Sequence, residues 1–195
     1  MYESCKLYVN NMVRRTYGTQ ELADEYAQAV GLKARDALRV MLLMEETIGM
    51  VSDIAGPFEA EIWLQGNRDA CEICLEARVG DGRPVPEVPH GLMARIGEIL
   101  RCGYLFDHWE EVPEAFREAL PSFVRRGLTH TPMMVGRWSL STLRKELGKL
   151  SLDDPDVQRE LGELEMSIVA HIADDVTVGI HQDKLKLVIT RSFGA

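Results

Sequence analysis

The amino-acid sequence predicts an α+β fold, a two-layer sandwich in which helices cover one face of a mixed, mostly antiparallel sheet. Strand-like alternation of apolar and polar residues occurs near both ends of the chain, and helical periodicity fills much of the length between them. The 195 residues, 46% of them hydrophobic and 27% charged, fit one soluble globular domain spanning 1–195. Strands early and late in a chain, with helices between, are most simply joined in one sheet.

The first part of the chain predicts one strand and two helices. Alternating apolar and polar residues predict a short strand over 4–10. Apolar residues at helical spacing predict a helix that starts at residue 19 and stops at Gly31. A longer helix is predicted over 33–55, and the helix-breaking pair Gly56-Pro57 marks its end.

An antiparallel hairpin is predicted next, with strands over 58–65 and 70–79 and a loop rich in turn residues over 66–69. Residues two apart lie on the same face of a strand, so one face of this hairpin is apolar. That face is formed by Phe58, Ala60, Ile62 and Leu64 in the first strand and by Cys71, Ile73, Leu75 and Ala77 in the second. The Gly- and Pro-rich segment 80–89 predicts a surface loop.

The remainder of the chain predicts helices followed by a closing hairpin. Helical periodicity predicts four helices, over 91–102, 112–120, 139–150 and 156–173. Clean alternation predicts paired strands over 175–181 and 184–190.

Charge and hydropathy exclude several classes of partner. The chain has 22 basic and 31 acidic residues, and its formal charge of -9 repels a phosphate backbone. We therefore expect no nucleic-acid partner. No stretch approaches the roughly 18 consecutive apolar residues of a membrane span, and no apolar run follows the basic residues near the N-terminus. We expect a cytoplasmic protein with no membrane partner.

The four cysteines are expected to be free thiols, since the sequence shows no secretion signal. They are Cys5, Cys71, Cys74 and Cys102. Cys71 and Cys74 form a CxxC, but residues three apart on a strand lie on opposite faces and cannot chelate one metal ion. The five histidines are scattered, and no pair has the four-residue helical spacing that suits a shared metal. We expect no metal site.

The candidate functional site lies on the helix predicted over 33–55. Projection at about 100° per residue places one apolar stripe toward the sheet. That stripe consists of Ala37, Met41, Met44, Ile48 and Val51. Glu46 falls on the opposite side, which is also largely apolar, so the helix is predicted to be buried on both sides. A carboxylate partly removed from water is a plausible general base. The alternative is that Glu45 and Glu46 are solvated residues at the helix edge.

Residues 42–50, which read LLMEETIGM, resemble the nucleotide-site helix of the GHKL ATPase superfamily. This superfamily includes gyrase, histidine kinases and the small anti-sigma factor serine kinases. Its helix carries Glu-Glu-x-x-x-Asn, in which the second Glu positions the attacking group and the Asn binds magnesium. Glu45 and Glu46 match the acidic pair, and Met50 occupies the Asn position. A thioether is a poor ligand for a hard cation, so the resemblance implies a site that has lost its magnesium ligand.

Two further family landmarks are altered. In the family, Asp-x-Gly-x-Gly reads the adenine amino group, and a Gly-x-Gly run before a helix holds phosphates. Here Gly80, Asp81 and Gly82 form a remnant of the first landmark, in which Arg78 stands where an adenine-reading acid is expected. Gly91 alone stands in place of the second. The resemblance therefore implies a nucleotide-site remnant rather than an intact site.

The order of elements also resembles the small kinases, with an early strand, two helices, a hairpin, a glycine-bearing loop, helices and a terminal hairpin. The tail, over 138–176, resembles bacterial proteins described as ATP-binding. Relative to the small kinases, 103–154 is a longer, helical insertion. Its aromatic residues, Trp109, Phe116, Phe123 and Trp138, could cover the former nucleotide site. The fold implied is a Bergerat-like sandwich.

The resemblance implies a degenerate regulatory module that binds a protein partner, such as a sigma factor or regulator in partner-switching signalling, with no cofactor. A homodimer through the first strand is conceivable on the same basis. The alternative is a divergent kinase, of the serine or histidine kinase-like type, that binds ATP with magnesium and uses Glu46 as base. A third reading is a structural scaffold in which the Glu-Glu match is due to chance.

Overall fold

The computed structural model describes residues 1–10, 17–55, 58–78, 137–149, 158, 162, 167–181 and 184–194. In chain order, the elements are β1 (Tyr2–Glu3), β2 (Leu7–Asn10), α1 (Tyr17–Val30), α2 (Ala34–Ala55), β3 (Glu59–Gly66), β4 (Ala70–Arg78), β5 (Arg137–Ser139), α3 (Leu140–Leu147), α4 (Ile168–Ile172), β6 (Asp175–His181) and β7 (Lys184–Ser192). Among these helices, none is long and apolar enough to cross a bilayer.

The strands form one sheet in which β1 and β2 together occupy one edge, followed by β3, β4, β7, β6 and β5. Every pairing between the described strands is antiparallel. The sequence predicts a mixed sheet, which contains at least one parallel pair. No parallel pair occurs between the described strands. The predicted α+β class is confirmed, as are the two hairpins, β3–β4 and β6–β7.

The edge strand is interrupted by a bulge at Ser4. β1 and β2 pair with the two ends of β3 in registers that differ by one residue, which is the mark of a bulge. The Ser4 N–H donates to the Leu64 carbonyl at 2.8 Å, and the Ser4 hydroxyl accepts from the Leu64 N–H at 2.9 Å. The side chain thus satisfies a backbone donor that the bulge removes from the regular ladder. Of the strand predicted over 4–10, only Leu7–Asn10 forms a strand, and a second short strand, Tyr2–Glu3, precedes it.

The β3–β4 turn depends on one glycine and one asparagine. The Asn67 Oδ1 accepts from the backbone N–H groups of Asp69 and Ala70, at 2.8 and 3.0 Å. Gly66 adopts a φ of 147°, which residues with a side chain rarely adopt. A Cβ at this position would lie 2.1 Å from the Ala70 carbonyl oxygen. The turn therefore requires glycine at Gly66.

The described helices pack on one face of the sheet, with the hydrophobic core between the two layers. α1 packs against the β1–β3 edge, α2 lies between α1 and α4, and α3 packs beside β6 and β5. The largest side chains fully buried between the layers are Tyr26, Leu43, Met44, Ile62, Leu64, Ile73, Leu75, Leu140 and Leu185. This is the two-layer sandwich that the sequence predicts.

The buried face of α2 is rotated from the predicted stripe by about 60°. The fully buried positions are Val40, Leu43, Met44, Thr47 and Val51, whereas Ala37, Met41 and Ile48 are only half-buried. Thr47 is the residue that hydropathy misses. Its hydroxyl donates to the Leu43 carbonyl one turn earlier, at 2.6 Å, so the polar group can enter the core without losing a hydrogen bond.

The predicted end of a helix is confirmed where the residue that ends it is a neighbour in sequence, as for α1. Gly31 follows α1 with a φ of 70°, the left-handed conformation expected at a helix end. In the predicted insertion, by contrast, β5 precedes α3, so its described part is not wholly helical. β5 exists because it pairs with β6, about 40 residues further along the chain, and such pairings leave little local signal. The single helix predicted over 156–173 is wrong at Ser167, which has an extended backbone (φ -80°, ψ 118°) and is the N-cap residue of the separate helix α4.

Several predicted features lie outside the described residues. They are the Gly56-Pro57 break, the loop over 80–89, and the helices over 91–102 and 112–120.

Candidate functional site

The Glu45–Met50 turn lies in the middle of α2, so the helices on either side of it decide what each side chain meets. Glu45 is half-buried on the side facing α1, where its Oε1 accepts from the Gln20 Nε2 at 2.9 Å. This hydrogen bond joins the two helices. Glu45 is therefore a packing contact between α1 and α2 in this structure.

Glu46 is the next residue and lies about 100° further around α2 than Glu45. It is half-buried and has no hydrogen-bond or ion-pair partner among the described residues. Leu43 and Met50, three and four residues away, are buried, whereas Gly49 is exposed and Leu38, two turns earlier, is 51% exposed. The prediction that α2 is buried on both sides is therefore wrong for its described part. Glu46 is accessible to solvent and is not held in a fixed geometry.

Met50, one turn beyond Glu46, is a core residue. Its side chain is 5% exposed and belongs to the hydrophobic cluster between the helices and the sheet. The position that holds the magnesium-binding Asn in the resemblance is thus filled by an apolar group pointing into the protein. Residue 50 therefore offers no side-chain oxygen that could bind a metal ion together with Glu46.

The other predicted site residues are not brought to this turn by any described contact. Gly80, Asp81, Gly82 and Gly91 lie outside the described residues. Arg78 is exposed at the end of β4, opposite Glu59 and Lys184 on the neighbouring strands. Of the aromatic residues in the insertion, only Trp138 is described, and its backbone pairs with Val178.

The start of α3 carries a capping network that sequence reasoning missed. The Asp175 Oδ1 accepts from the Ser141 N–H at 2.8 Å, and its Oδ2 accepts from the Ser141 hydroxyl at 3.0 Å. The Ser139 hydroxyl accepts from the Thr142 N–H at 3.2 Å. A carboxylate is favourable at a helix N-terminus, where unpaired N–H groups and the helix dipole attract negative charge. Ser139, just before the helix, was the only local signal.

The C-terminus of α4 is stabilised by two arginines from distant elements. The Arg144 Nη2 donates to the Ala170 carbonyl, and the Arg191 Nη1 donates to the Ile172 carbonyl at 2.8 Å. Arg191 also pairs with the Asp174 carboxylate at 3.0 Å. Positive charge is favourable there, because the last carbonyls of a helix lack partners within it. His171 lies in the last turn of α4 and is exposed.

The CxxC is a pair of buried, unlinked thiols. Cys71 and Cys74 are 1% and 3% exposed, on opposite faces of β4. Burial raises the pKa of Cys71 to about 12 and that of Cys74 to about 11. Cys5, Cys71 and Cys74 are free, as predicted. Within the residues described, no three His, Cys, Asp or Glu side chains are grouped so as to hold a metal ion.

Trp63 is a buried aromatic residue on the face of the sheet away from the described helices. Trp63 is 7% exposed, and the Lys6 Nζ lies 4.6 Å from the centre of its ring. The same ammonium pairs with Glu61 at 3.0 Å. A cation over a tryptophan ring is a stabilising interaction, so the contacts of Lys6 stabilise the packing of the bulged edge against β3.

Comparison with known proteins finds no match for this chain among protein-family models, curated proteins or solved structures.

Proposed function

We propose that this protein is a degenerate GHKL-like regulatory module that binds another protein and has neither ATPase nor kinase activity. The partner is a regulator, such as a sigma factor or a protein of a partner-switching pathway. The proposal rests on the resemblance of residues 42–50 to the nucleotide-site helix of that superfamily, together with the position of Met50 in the structure.

The burial of Met50 is the observation that supports the loss of activity. A magnesium ligand must present an oxygen atom to the ion at a site reached by solvent and substrate. Met50 presents a thioether, and at 5% exposure it is packed in the hydrophobic core. Replacing its side chain by an Asn amide would remove apolar contacts and bury a polar group. Position 50, from which the family's Asn binds the metal ion, is therefore part of the hydrophobic core.

The order of the described elements supports the ancestry. Apart from the strand β5, the described elements run in the order that the resemblance implies: early edge strands, two helices, a hairpin, further helices and a terminal hairpin. The sandwich has its described helices on one sheet face, as a Bergerat-like fold requires. These features are shared by many α+β proteins, so the specific argument remains the Glu45–Met50 turn.

The second candidate is a divergent kinase-like protein that binds ATP with magnesium and uses Glu46 as its base. One observation favours it: the Glu46 carboxylate is accessible and has no partner among the described residues. A general base must reach its substrate, and a carboxylate tied into an ion pair would be less able to do so. In this candidate, ligands other than Met50 would hold the ion.

A calorimetric titration of the protein with ATP and magnesium separates the two candidates. If the protein is a degenerate module, the titration should release no binding heat. Its melting temperature should also stay constant at millimolar nucleotide, since only ligands that bind the native state raise the melting temperature. Micromolar, magnesium-dependent binding would overturn the proposal. The second candidate instead predicts phosphate transfer that Glu46→Gln abolishes without unfolding the protein, because this change removes the base while preserving the shape of the side chain.

The protein-binding half of the proposal needs its own test. Candidate sigma factors and regulators from the host would be added to the purified protein at known concentrations, and complex formation followed by sedimentation velocity. A stable complex that forms equally with and without ATP is the expected result. A complex that forms only with ATP would instead favour the kinase-like candidate, and binding to none of them would remove the partner-switching assignment.

A further inference from the structure

The outward face of α2 carries opposite charges at its two ends and leucines in the middle. Arg35 is exposed near the start of the helix, and Glu46 lies three turns further on. Between them, Leu38 is 51% exposed and Leu42 is half-buried. Positions four apart on a helix lie on the same side, so these residues form one continuous ridge.

The charges at the two ends of this ridge are unmatched within the described part of the chain. Neither Arg35 nor Glu46 has a hydrogen bond or an ion pair with another described residue. Their neighbours are matched: Arg39 pairs with Asp36 at 3.0 Å, and Glu45 accepts from Gln20 at 2.9 Å. The ridge therefore presents one free positive charge, an apolar centre and one free negative charge.

We propose that this ridge docks against the same ridge of a second copy of the chain, with the two α2 helices antiparallel across a two-fold axis. The midpoint between Arg35 and Glu46 falls between residues 40 and 41, and the midpoint between Leu38 and Leu42 falls at residue 40. One axis therefore serves both pairs. It places each Arg35 opposite the Glu46 of the second copy and each Leu38 opposite the Leu42 of the second copy.

Charge complementarity selects a second copy as the occupant. A contact across a two-fold axis uses one surface twice, so that surface must complement itself. A uniformly basic partner would match Glu46 but meet Arg35, and a uniformly acidic one would do the reverse. The ridge, turned end for end, matches both charges and keeps leucine against leucine.

The dimer is expected to be weak. A single helix pair buries less than the roughly 1,200 Å² of a standard stable interface. Each copy also carries a formal charge of -9, so the two copies repel each other at long range. We expect a dissociation constant on the order of 10–100 μM. The dimer does not depend on the proposed function, because no nucleotide or protein ligand takes part in it.

Sedimentation velocity over about 5 to 500 μM protein brackets the expected constant. The wild-type chain should shift from monomer to dimer within that range. Arg35→Glu and Glu46→Arg each place like charges opposite one another twice per dimer, and each should weaken association at least about tenfold. The double variant R35E/E46R restores both pairs and should recover the wild-type constant. These positions are about 16 Å apart along the helix, so the recovery cannot come from contact within one copy.

Mixing the two single variants gives a second test. One copy then carries only acidic groups at the two positions and the other only basic groups, so the mixture should form a heterodimer tighter than either variant alone. Arg68→Glu is the control, because Arg68 has 79% of its side chain exposed in the β3–β4 turn and the substitution changes the net charge as Arg35→Glu does. It should weaken association far less than Arg35→Glu does, because its added charge acts only at long range.

Circular dichroism verifies that each variant is folded. If a single variant does not fold, Leu38→Lys, which places a charge in the apolar centre of the ridge, is measured in its place. A wild-type chain that stays monomeric up to 500 μM overturns the proposal. So does a dimer that is insensitive to these substitutions, a double variant that stays as weak as the singles, or an equal loss of affinity in Arg68→Glu.

Discussion

At the scale of single residues, burial decides what the Glu45–Met50 turn can do. Glu45 and Glu46 are adjacent in sequence but differ in their contacts: the first is hydrogen-bonded to Gln20, and the second has no described partner. Met50 is turned into the core. A carboxylate that is accessible and an apolar residue that is buried cannot together form an oxygen-lined ion site.

Met50→Asn is expected to destabilise the protein by about 3 to 5 kcal/mol without creating a magnesium site. The change removes buried apolar contacts and leaves an amide in the core. Met50→Leu keeps the volume and should cost less than about 1.5 kcal/mol. Urea denaturation measures both. A stable Met50→Asn protein whose melting temperature rises with magnesium and ATP would show that this position faces a ligand site.

The two buried thiols make stability depend on alkaline pH. Unfolded cysteine titrates near its ordinary pKa of 9.0, whereas burial holds the pKa of Cys71 at about 12. Between these values the native state keeps a proton that the unfolded state loses. The free energy of unfolding should therefore be unaffected below pH 9 and fall above it, by about 1.4 kcal/mol per pH unit for this thiol.

Denaturation at a series of pH values from about 8 to 11 measures this slope in the wild type and in Cys71→Ala. The variant lacks the thiol and its contribution to the pKa of Tyr26, which is raised by burial and by Cys71, so its stability should decline less steeply above pH 9. Equal slopes would show that the Cys71 thiol titrates normally in the native state. In the native wild type, a thiol reagent should label exposed Cys5 ahead of Cys71 and Cys74.

At the scale of elements, glycines mark where the backbone is constrained and where it is not. Gly49 lies in the interior of α2, and a Cβ added there would meet nothing within 4 Å. Gly66 ends β3 with a φ of 147°, and a Cβ there would meet the Ala70 carbonyl oxygen. The same substitution should therefore have opposite effects at the two sites.

Gly49→Ala is expected to stabilise the protein by about 0.5 to 1 kcal/mol, because alanine is the better helix former and the site is open. Gly66→Ala should destabilise it by about 3 kcal/mol, through backbone strain and the clash in the turn. Melting temperatures of the two variants give the comparison. Gly31→Ala, at a positive φ of 70° with nothing within 4 Å, is the control for strain alone and should fall between them.

At the scale of the whole molecule, long-range contacts bring distant segments to the ends of the helices. Asp175 caps α3, while Arg144 and Arg191 cap α4, so the last hairpin is joined to the helical layer by polar contacts as well as by the core. α2 lies between α1 and α4, and its ridge from Arg35 to Glu46 faces outward from the helical layer. A two-fold contact through the ridge would involve neither of the edges formed by the described strands.

Local patterns predicted much of this fold. The α+β class, the two hairpins and the end of α1 at Gly31 follow from apolar periodicity and from turn residues, which act within a few positions of the chain. The resemblance of residues 42–50 to a known family helix identified Glu45, Glu46 and Met50 as the turn of interest. It could not assign their surroundings, because the side chains that meet them, such as Gln20, come from another helix.

The sequence by itself determined the secondary structure of the hairpins and of α1 and α2, since propensity and periodicity are properties of neighbouring residues. The tertiary structure alone decided the bulge at Ser4, the strand β5 and the rotation of α2 that buries Thr47. Each of these depends on a hydrogen bond or a packing surface that exists only after folding. Thr47 shows the reason most simply, because its burial depends on the face that α2 turns to the sheet, which one helix alone does not specify.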